Sequence, residues 1–291
     1  MSDLFLDTQS TSERTILDLR ALGFQTILVC GRYEYSRAHP PRPPQSHPDW
    51  LVLVYLEKGL QLYEIGGERV ELRGNQVMRV FPGESYGTGR FPEHRGVLFW
   101  MIVATSPPPG PAGAWGMNQV ASSELLDRLL DRRTPRVESA SEMVGEAFRK
   151  VFSRPTHDSE LDRAILRHSL VSVLLEVVSI RDSVTPVAHL AAEVAGRLSV
   201  DPAHMPSSED LAAFTGLSVS AFYDRFGKET GMTPKEFAMR WKVNEAMKRL
   251  RAGDRVIEVA HALGFSSSQY FASVVRRHSG ESPSYWRKRK L

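Results

Sequence analysis

The first hundred residues alternate short apolar runs with turn-forming residues. Turn signals such as EKG, GG, RGN, PGES and PEHRG separate the runs. Between residues 24 and 104 the runs, rich in Val, Ile, Leu and aromatic side chains, are FQTILVC, WLVLVYL, LQLYEI, ERVELR, QVMRVF and GVLFWMIV. Runs of this kind predict β-strands, and six of them at close spacing predict an antiparallel sandwich or barrel.

The hydrophobic period changes after a Pro- and Gly-rich stretch at residues 106–116, which we interpret as a linker. Between residues 120 and 182 apolar residues recur at i, i+3, i+4 and i+7, which predicts helices. The segments concerned are SSELLDRLLDRR, SEMVGEAFRKVF and SELDRAILRHSLVSVLLEVV. Their apolar faces are expected to pack on the β region, to form a subunit interface, or to do both.

Beyond a short polar hinge at residues 181–187, every segment has a helical pattern. The predicted helices span about 188–199, 207–215, 219–230, 233–252, 256–263, 267–279 and 283–290. Their starts are marked by N-cap residues or by an N-cap followed by Pro, at Ser207, Ser218, Thr233-Pro234, Ser266 and Ser282-Pro283. The chain therefore divides into a β domain at 1–115, a helical segment at 116–182 and an all-α domain at 183–291.

Two stretches of the all-α domain repeat each other. EDLAAFTGLSVSAFY (209–223) and EVAHALGFSSSQYF (258–271) each predict a short helix, a turn at Gly216 or Gly264, and a second helix. Glycine allows the positive φ that such a turn needs. This arrangement is typical of helix-turn-helix DNA-binding units, whose second helix lies in the major groove. Recurrence at a fixed offset makes the interpretation stronger than a single match would.

Composition and charge narrow the classes of function. The 291 residues are 42% hydrophobic and 24% charged, which is typical of a soluble globular protein. The chain has neither an eighteen-residue apolar stretch nor a secretory start, and its one cysteine excludes an internal disulfide; we expect a cytoplasmic protein without membrane contact. Residues 241–291 carry 11 Lys and Arg against 4 Asp and Glu, which indicates a polyanionic partner.

The segment VIEVAHALGFSSSQYFASVVRRHSGESPSYWRK resembles the signature segment of AraC/XylS-type transcription regulators. The matching positions are Ile257, Ala260, Gly264, Phe265, Ser268, Tyr270, Phe271, Gly280 and Pro283. The resemblance implies two helix-turn-helix units, at about 188–231 and 254–290, joined by a linker helix at 233–252. A helix of this length spans about 30 Å. Successive major grooves on one side of DNA lie about 34 Å apart, so one subunit is expected to read both.

The resemblance also implies which side chains face DNA. In the first unit they are Ser220, Tyr223 and Asp224, and in the second Ser268, Gln269, Ala272 and Ser273. We add the cations Lys228, Arg276 and Arg277. Asp224, Gly227 and Ser273 stand where the family often has a cation, so we expect the second unit to supply most of the salt-dependent affinity. The aromatic residues Phe222, Phe226, Tyr270, Phe271 and Trp286 are expected in the core.

The family pairs this domain with an N-terminal cupin-like barrel that senses a small molecule and dimerises. HPDWLVLVYLEKG and MRVFPGESYG resemble barrel segments, but Asp49 and Tyr86 stand where metal-binding cupins have His, so we expect neither metal nor cofactor. A small polar, sugar-like effector fits better. Its candidate contacts are Arg32, Tyr33, Glu34, His47, Trp50, Tyr86, His94, Arg95 and Trp100.

Together these features predict an α+β multidomain protein, with a cupin-like antiparallel β-barrel, flanking helices and an all-α domain of two helix-turn-helix units. The expected function is effector-controlled transcription regulation rather than catalysis. The expected partners are double-stranded DNA, a small-molecule effector, RNA polymerase and a second copy of the chain, bound through the barrel, the helices at 140–181, or both. Two alternatives stay open: a cupin-type enzyme fused to a DNA-binding domain, and a regulator whose barrel only dimerises or binds another protein.

Overall fold

The computed structural model describes residues 8–106, 115–153, 159–180 and 189–288. They divide into two units, the first formed by Met1–Glu34, Arg42–Gly89 and Gly96–Thr185, the second by Tyr35–Pro41, Arg90–Arg95 and Pro186–Leu291. Most of the predicted linker at 106–116, the hinge at 181–187 and the basic residues Arg289 and Lys290 lie outside the described residues. No helix in the described ranges combines the length and apolar content that crossing a membrane requires.

An antiparallel sheet forms the first unit, as predicted. Its strands are β1 (Arg14–Asp18), β2 (Ile27–Tyr35), β3 (Gln45–Ser46), β4 (Trp50–Ile65), β5 (Glu68–Arg73), β6 (Gln76–Val80), β7 (Ser85–Gly87), β8 (Gly96–Ala104) and β9 (Val137–Ser139). The main path of the sheet runs β1-β2-β8-β4-β6-β9. Strand β4 pairs antiparallel with β5, β6, β7 and β8, and β3 pairs with β7. Closure of this sheet into a cupin-like barrel stays a prediction.

The two runs at 50–56 and 60–65 form one strand, β4, so the turn predicted at EKG is wrong. The register against β8 shifts between Leu56 and Lys58, and the chain continues in the same direction. A shift of this kind is a β-bulge, which bends a strand without reversing it. The first half of β4 therefore pairs with β6, while its second half pairs with β5.

The central strands β4 and β8 are buried on both faces, and helices cover one of these faces. The helices α1 (Gln119–Leu130), α2 (Glu142–Val151) and α3 (Glu160–Ser179) share a hydrophobic core with Leu53, Phe99 and Met101. Alternate residues such as Val54 and Trp100, which are paired across β4 and β8, point to the opposite face. Packing of the helical segment on the β region, one of the two alternatives predicted, is therefore confirmed.

The second unit contains every helix predicted for the all-α domain. They are α4 (His189–Val200), α5 (Ser208–Phe214), α6 (Val219–Thr230), α7 (Pro234–Ala252), α8 (Val256–Ala262), α9 (Ser268–Ser279) and α10 (Pro283–Lys288). Ser207, Ser218 and Thr233 cap helices as predicted. The cap predicted at Ser266 is wrong by one residue: Ser267 has the extended backbone, and its side chain accepts from the backbone N–H of Tyr270.

Two hydrophobic cores lie side by side in this unit. One surrounds Phe222 and Phe226, and the other surrounds Phe271 and Trp286; all four side chains are buried, as predicted. The prediction that Tyr270 belongs to the core is wrong, because its side chain is 51% exposed. Trp241, on α7, packs against both cores.

Candidate nucleic-acid interface

Two short-helix, glycine-turn, second-helix arrangements are built in the same way. We call α5 and α6 the first helical pair, and α8 and α9 the second helical pair. The turn glycines, Gly216 and Gly264, have φ of 68° and 73°, in the left-handed region that favours glycine. The residue after each glycine, Leu217 or Phe265, packs into the core of its own pair. The repeat seen in the sequence is thus a repeat of backbone geometry.

Each second helix has one buried and one exposed face. In α6 the buried positions are Phe222, Phe226 and Thr230. In α9 they include Phe271, Val274 and Val275. The predicted DNA-facing residues all lie on the other face, where they are exposed or half-buried: Ser220, Tyr223, Asp224, Lys228, Ser268, Gln269, Ala272, Ser273, Arg276 and Arg277. Spacings of three, four and eight residues place them along one side of each helix.

On the exposed face of α6, polar side chains are paired with neighbouring side chains of the protein. The Asp224 carboxylate forms an ion pair of 3.4 Å with the ammonium group of Lys228, one turn further along. The Tyr223 hydroxyl shares a hydrogen bond of 2.7 Å with the hydroxyl of Ser208, at the start of α5. A cation already paired with a carboxylate offers little net charge to a phosphate, so this face is electrostatically weak.

The exposed face of α9 is different. Within the part of the chain that the structure describes, no carboxylate forms an ion pair with Arg276 or Arg277, and both guanidinium groups are exposed. They stand in the last turn of α9, where the helix dipole favours cations. Arg287 and Lys288 follow in α10 and are also exposed. This face offers charged donors to a polyanion.

The charge of each pair shows the same asymmetry. Residues 208–230 contain two cations and four carboxylates, whereas residues 256–279 contain two cations and one carboxylate. The first pair is therefore net negative and the second net positive at neutral pH.

Two of the predicted effector residues, His94 and Arg95, lie in the second unit. Nδ1 of His94 donates to the backbone carbonyl of His278 at 2.7 Å, and Arg95 pairs with Glu236 at 3.6 Å. Burial lowers the pKa of His94 to about 4, and burial with the nearby Arg240 lowers the pKa of His278 to about 3. Both imidazoles are therefore neutral at physiological pH.

Three other predicted effector residues meet in the first unit. The His47 ring stacks on Trp50, with centroids 5.1 Å apart, and Nε2 of His47 shares a hydrogen bond of 3.2 Å with the Tyr86 hydroxyl. Burial lowers the pKa of His47 and raises that of Tyr86 to about 12. The charge of Arg42 opposes this rise in the Tyr86 pKa, and Tyr33 adds to it.

Trp100 joins this group through Tyr33. The two rings meet edge to face at 5.8 Å, and the guanidinium of Arg42 stands 5.4 Å from the centre of the Tyr33 ring. We call this set the aromatic cluster; its members are Tyr33, His47, Trp50, Tyr86, Trp100 and Arg42. Arg42 was missed by sequence reasoning, because it lies in a Pro-rich stretch without a recognisable strand pattern.

Arg32 and Glu34 lie away from the aromatic cluster. They pair with each other at 2.6 Å, and Arg32 stands over Phe99, on the helix-covered face of the sheet. A Cβ built on Gly31 would overlap the Trp100 indole, which places Trp100 on the opposite face. Among the residues that the structure describes, no three His, Cys, Asp or Glu side chains are grouped to hold a metal ion.

Comparisons with known proteins agree with the geometry of the second unit. A family model described as a helix-turn-helix domain matches residues 211–289. A Streptomyces lividans protein named as an AraC-like transcription regulator is 28% identical over 192 residues, covering 60% of this chain. The chain spans only 62% of that relative's own length. The resemblance of the C-terminal region to this family is confirmed.

Two further comparisons extend over most of the chain. The HTH-type transcriptional activator RhaS of Pectobacterium carotovorum is 25% identical over 259 residues, covering 84% of this chain and 88% of RhaS. The crystal structure of ToxT from Vibrio cholerae is 10% identical, with a TM-score of 0.34, and the match covers 96% of this chain and all of that one.

Proposed function

We propose that this chain, whose C-terminal region is a helix-turn-helix domain of the AraC type, is a sequence-specific DNA-binding transcription regulator. The observation that carries the proposal is the pair of exposed polar faces on α6 and α9, each opposite a packed apolar face. The connecting helix α7 has 19 residues and spans about 28 Å. Successive major grooves lie about 34 Å apart, so the two faces suit neighbouring grooves of one duplex.

The two faces would have different tasks. On α9, the Gln269 amide would pair with adenine in a bidentate manner, while Arg276 and Arg277 would bind phosphates. On α6, the serine and tyrosine hydroxyls would contribute contacts of low charge. The second helical pair therefore supplies most of the salt-dependent affinity, and the first adds selectivity.

Selection of sites from a random duplex library by the full chain tests the proposal. We expect an enriched motif with two boxes about one helical turn apart. The Gln269→Ala variant should lose preference at one base position, at a cost of about 1–3 kcal/mol. Arg276→Ala should instead weaken binding to all sequences alike. Failure of the wild-type chain to enrich any sequence would contradict the proposed function.

We also propose that a small polar effector, sugar-like in its hydrogen-bonding groups, binds at the aromatic cluster. Trp100 Nε1 and His47 Nδ1 are buried, and neither has a hydrogen-bond partner among the described residues. Leaving such a group unpaired costs about 1–3 kcal/mol, which a ligand that supplies the partner would recover. Aromatic rings beside a guanidinium group are suited to a flat or polyhydroxylated compound.

Thermal shift against sugars, organic acids and aromatic compounds tests the effector site. Trp100→Phe keeps an aromatic ring but removes the buried N–H, so it should weaken ligand binding while the free protein still folds. Trp115→Phe is the matched control, because Trp115 Nε1 is also buried without a described partner but lies in the helix-covered core. Equal loss of binding in both variants, or no shift with any compound, would contradict this site.

The proposed regulator would act as a homodimer. Leu161 and Leu175, both on α3, are 69% and 43% exposed and stand fourteen residues apart, which places them on the same side of the helix. Leu161→Glu combined with Leu175→Glu should shift the chain from dimer to monomer in sedimentation. A dimer that survives both changes would place the contact on the sheet instead.

A further inference from the structure

Lys242, near the middle of α7, is a buried lysine. Its side chain is only 9% exposed, although the ammonium group is charged. The group donates to two backbone carbonyls: to Leu263 at 2.9 Å and to Ala203 at 3.1 Å. A buried ammonium group requires such partners, because burial without hydrogen bonds is costly.

The two carbonyls belong to different halves of the unit. Ala203 lies between α4 and α5, in the loop that leads into the first helical pair. Leu263 is the C-cap of α8, immediately before the turn of the second helical pair. Its carbonyl belongs to the end of a helix, where carbonyls lack partners within the helix. One side chain therefore bonds the approach to the first pair and the turn of the second.

The backbones meet at the same place. A Cβ built on Gly264 would stand 2.2 Å from the carbonyl oxygen of Ala203. By contrast, a Cβ on Gly216, in the equivalent turn of the first pair, would find no atom within 4 Å. The turn of the second pair is thus pressed against the 201–203 loop, directly beside the Lys242 ammonium group.

We propose that Lys242 is a positioning residue that fixes the distance and rotation between the two recognition helices, α6 and α9, and so sets the spacing of DNA boxes that the chain accepts. The inference rests on the proposed DNA-binding function. Lys242 itself touches no DNA in this role. Without it, the Gly264 turn would keep its backbone contact with the 201–203 loop but lose the hydrogen bonds that fix this contact, and α9 would turn relative to α6.

A distance measurement without DNA tests whether Lys242 fixes the arrangement of the two helical pairs. Spin labels on Ala213→Cys and Ala262→Cys report on α5 and α8, and both positions are exposed and lie off the recognition helices. Burial raises the pKa of Cys30, the only native cysteine, so its thiol should escape labelling. The labelled chain is diluted with unlabelled chain, so that distances between different chains do not contribute. Double electron–electron resonance then measures the distance between the two labels of one chain.

We expect one narrow distance distribution in the labelled parent, a broader or shifted one in Lys242→Met, and recovery in Lys242→Arg, which keeps the charged donors. If Lys242→Met fails to fold, Gly264→Ala tests the same contact from the other side. Gly216→Ala is its control, since it has the same backbone strain but an open turn. The parent distribution surviving both Lys242→Met and Gly264→Ala would overturn the proposal.

A spacing series on the selected DNA tests the functional part. Adding one base pair between the boxes moves them by about 3.4 Å and rotates them by about 34°. The wild-type chain should lose about tenfold in affinity, the size of one lost base contact. Lys242→Met should bind the original spacing less tightly yet discriminate less between spacings. An unchanged spacing dependence in Lys242→Met would overturn the proposal. Absence of DNA binding in the wild type would instead reject the proposed function, and the distance measurement would still decide the role of Lys242.

Discussion

Gly216 and Gly264 occupy the same left-handed turn of the two helical pairs, yet only Gly264 is pressed against another backbone. The difference continues on the exposed faces. Asp224 and Lys228 pair with each other on α6, whereas Arg276 and Arg277 on α9 have no ion-pair partner among the described residues. The two helical pairs therefore share a fold, but they differ in net charge and in whether the glycine turn contacts another part of the backbone. A repeated motif can keep its backbone while its copies take different tasks.

The largest expected difference between the two helical pairs is in how their stability depends on pH. The position of His278 in the second pair corresponds to Glu229 in the first, whose carboxylate accepts from the backbone N–H groups of Leu190 and Ala191. The pKa of His278 is about 3 and that of His94 about 4, both below the value of an unfolded histidine. The unfolded chain therefore binds more protons below pH 6.5, and stability falls as the pH drops toward 4.

Between pH 6.5 and 5 we expect α9 to lose about 3 kcal/mol of protection against hydrogen exchange, after correction for the intrinsic rate. The amides of α6 should lose less. His278→Gln should reduce the pH dependence by about half, because His94 still contributes, and His261→Gln, at an exposed position of α8, serves as the control variant. Equal acid sensitivity of α6 and α9 would remove this distinction between the pairs.

Removal of cations should have the next largest effect. Arg276→Ala with Arg277→Ala should weaken DNA binding by about ten- to a hundredfold near physiological salt and reduce the salt slope by about two. The matched change in the first pair, Arg225→Ala with Lys228→Ala, should cost much less. Filter binding over a salt series measures both, and equal slopes in the two double variants would contradict the proposed division of tasks.

Removal of the Asp224 carboxylate should strengthen binding by a smaller factor. Asp224→Asn releases Lys228 from its ion pair and removes a negative charge from the DNA-facing side. We expect a gain of about threefold at low salt, which fades as salt screens it. The control is Glu258→Gln, at an exposed position of α8. Loss of binding in Asp224→Asn would mean that this carboxylate reads a base.

The last comparison concerns the stability contributed by two tyrosines. Tyr223→Phe removes the hydrogen bond to Ser208 and should lower the free energy of unfolding by about 0.5–1.5 kcal/mol. Tyr270→Phe, on α9, should have a smaller effect, because its exposed side chain makes no such bond among the described residues. Urea denaturation followed by circular dichroism would detect the difference; a larger loss in Tyr270→Phe would contradict it.

Sequence reasoning was most accurate where one periodic pattern decides the structure. Helices α5–α9 were predicted because apolar spacing, N-caps and turn glycines agree with one another. It was least accurate where an apolar run has no alternation. The facing of Trp100 and Arg32 could not be predicted, since helices cover the second face of the sheet and remove the polar positions that would reveal it.

Sequence reasoning can find contacts between residues that are close in the chain, but it did not find contacts between distant residues. The ion pair of Asp224 with Lys228 follows from their i, i+4 spacing and was open to prediction. Nothing in the sequence around Lys242 indicates that it bonds residues 203 and 263, because its position on α7 fits an ordinary half-buried lysine. The short strands β1, β3, β7 and β9 were missed for a similar reason, since their pairing partners rather than their own patterns define them.

Trp241 packs against the cores of both helical pairs. A side chain shared in this way makes the opening of either core expose part of the other. Trp241 therefore couples the stability of the two cores, while each pair keeps its own opening reaction. Weakening of the second pair by acid would lower the stability of the first by a smaller amount, and a bound duplex would be held less tightly at both halves of its site.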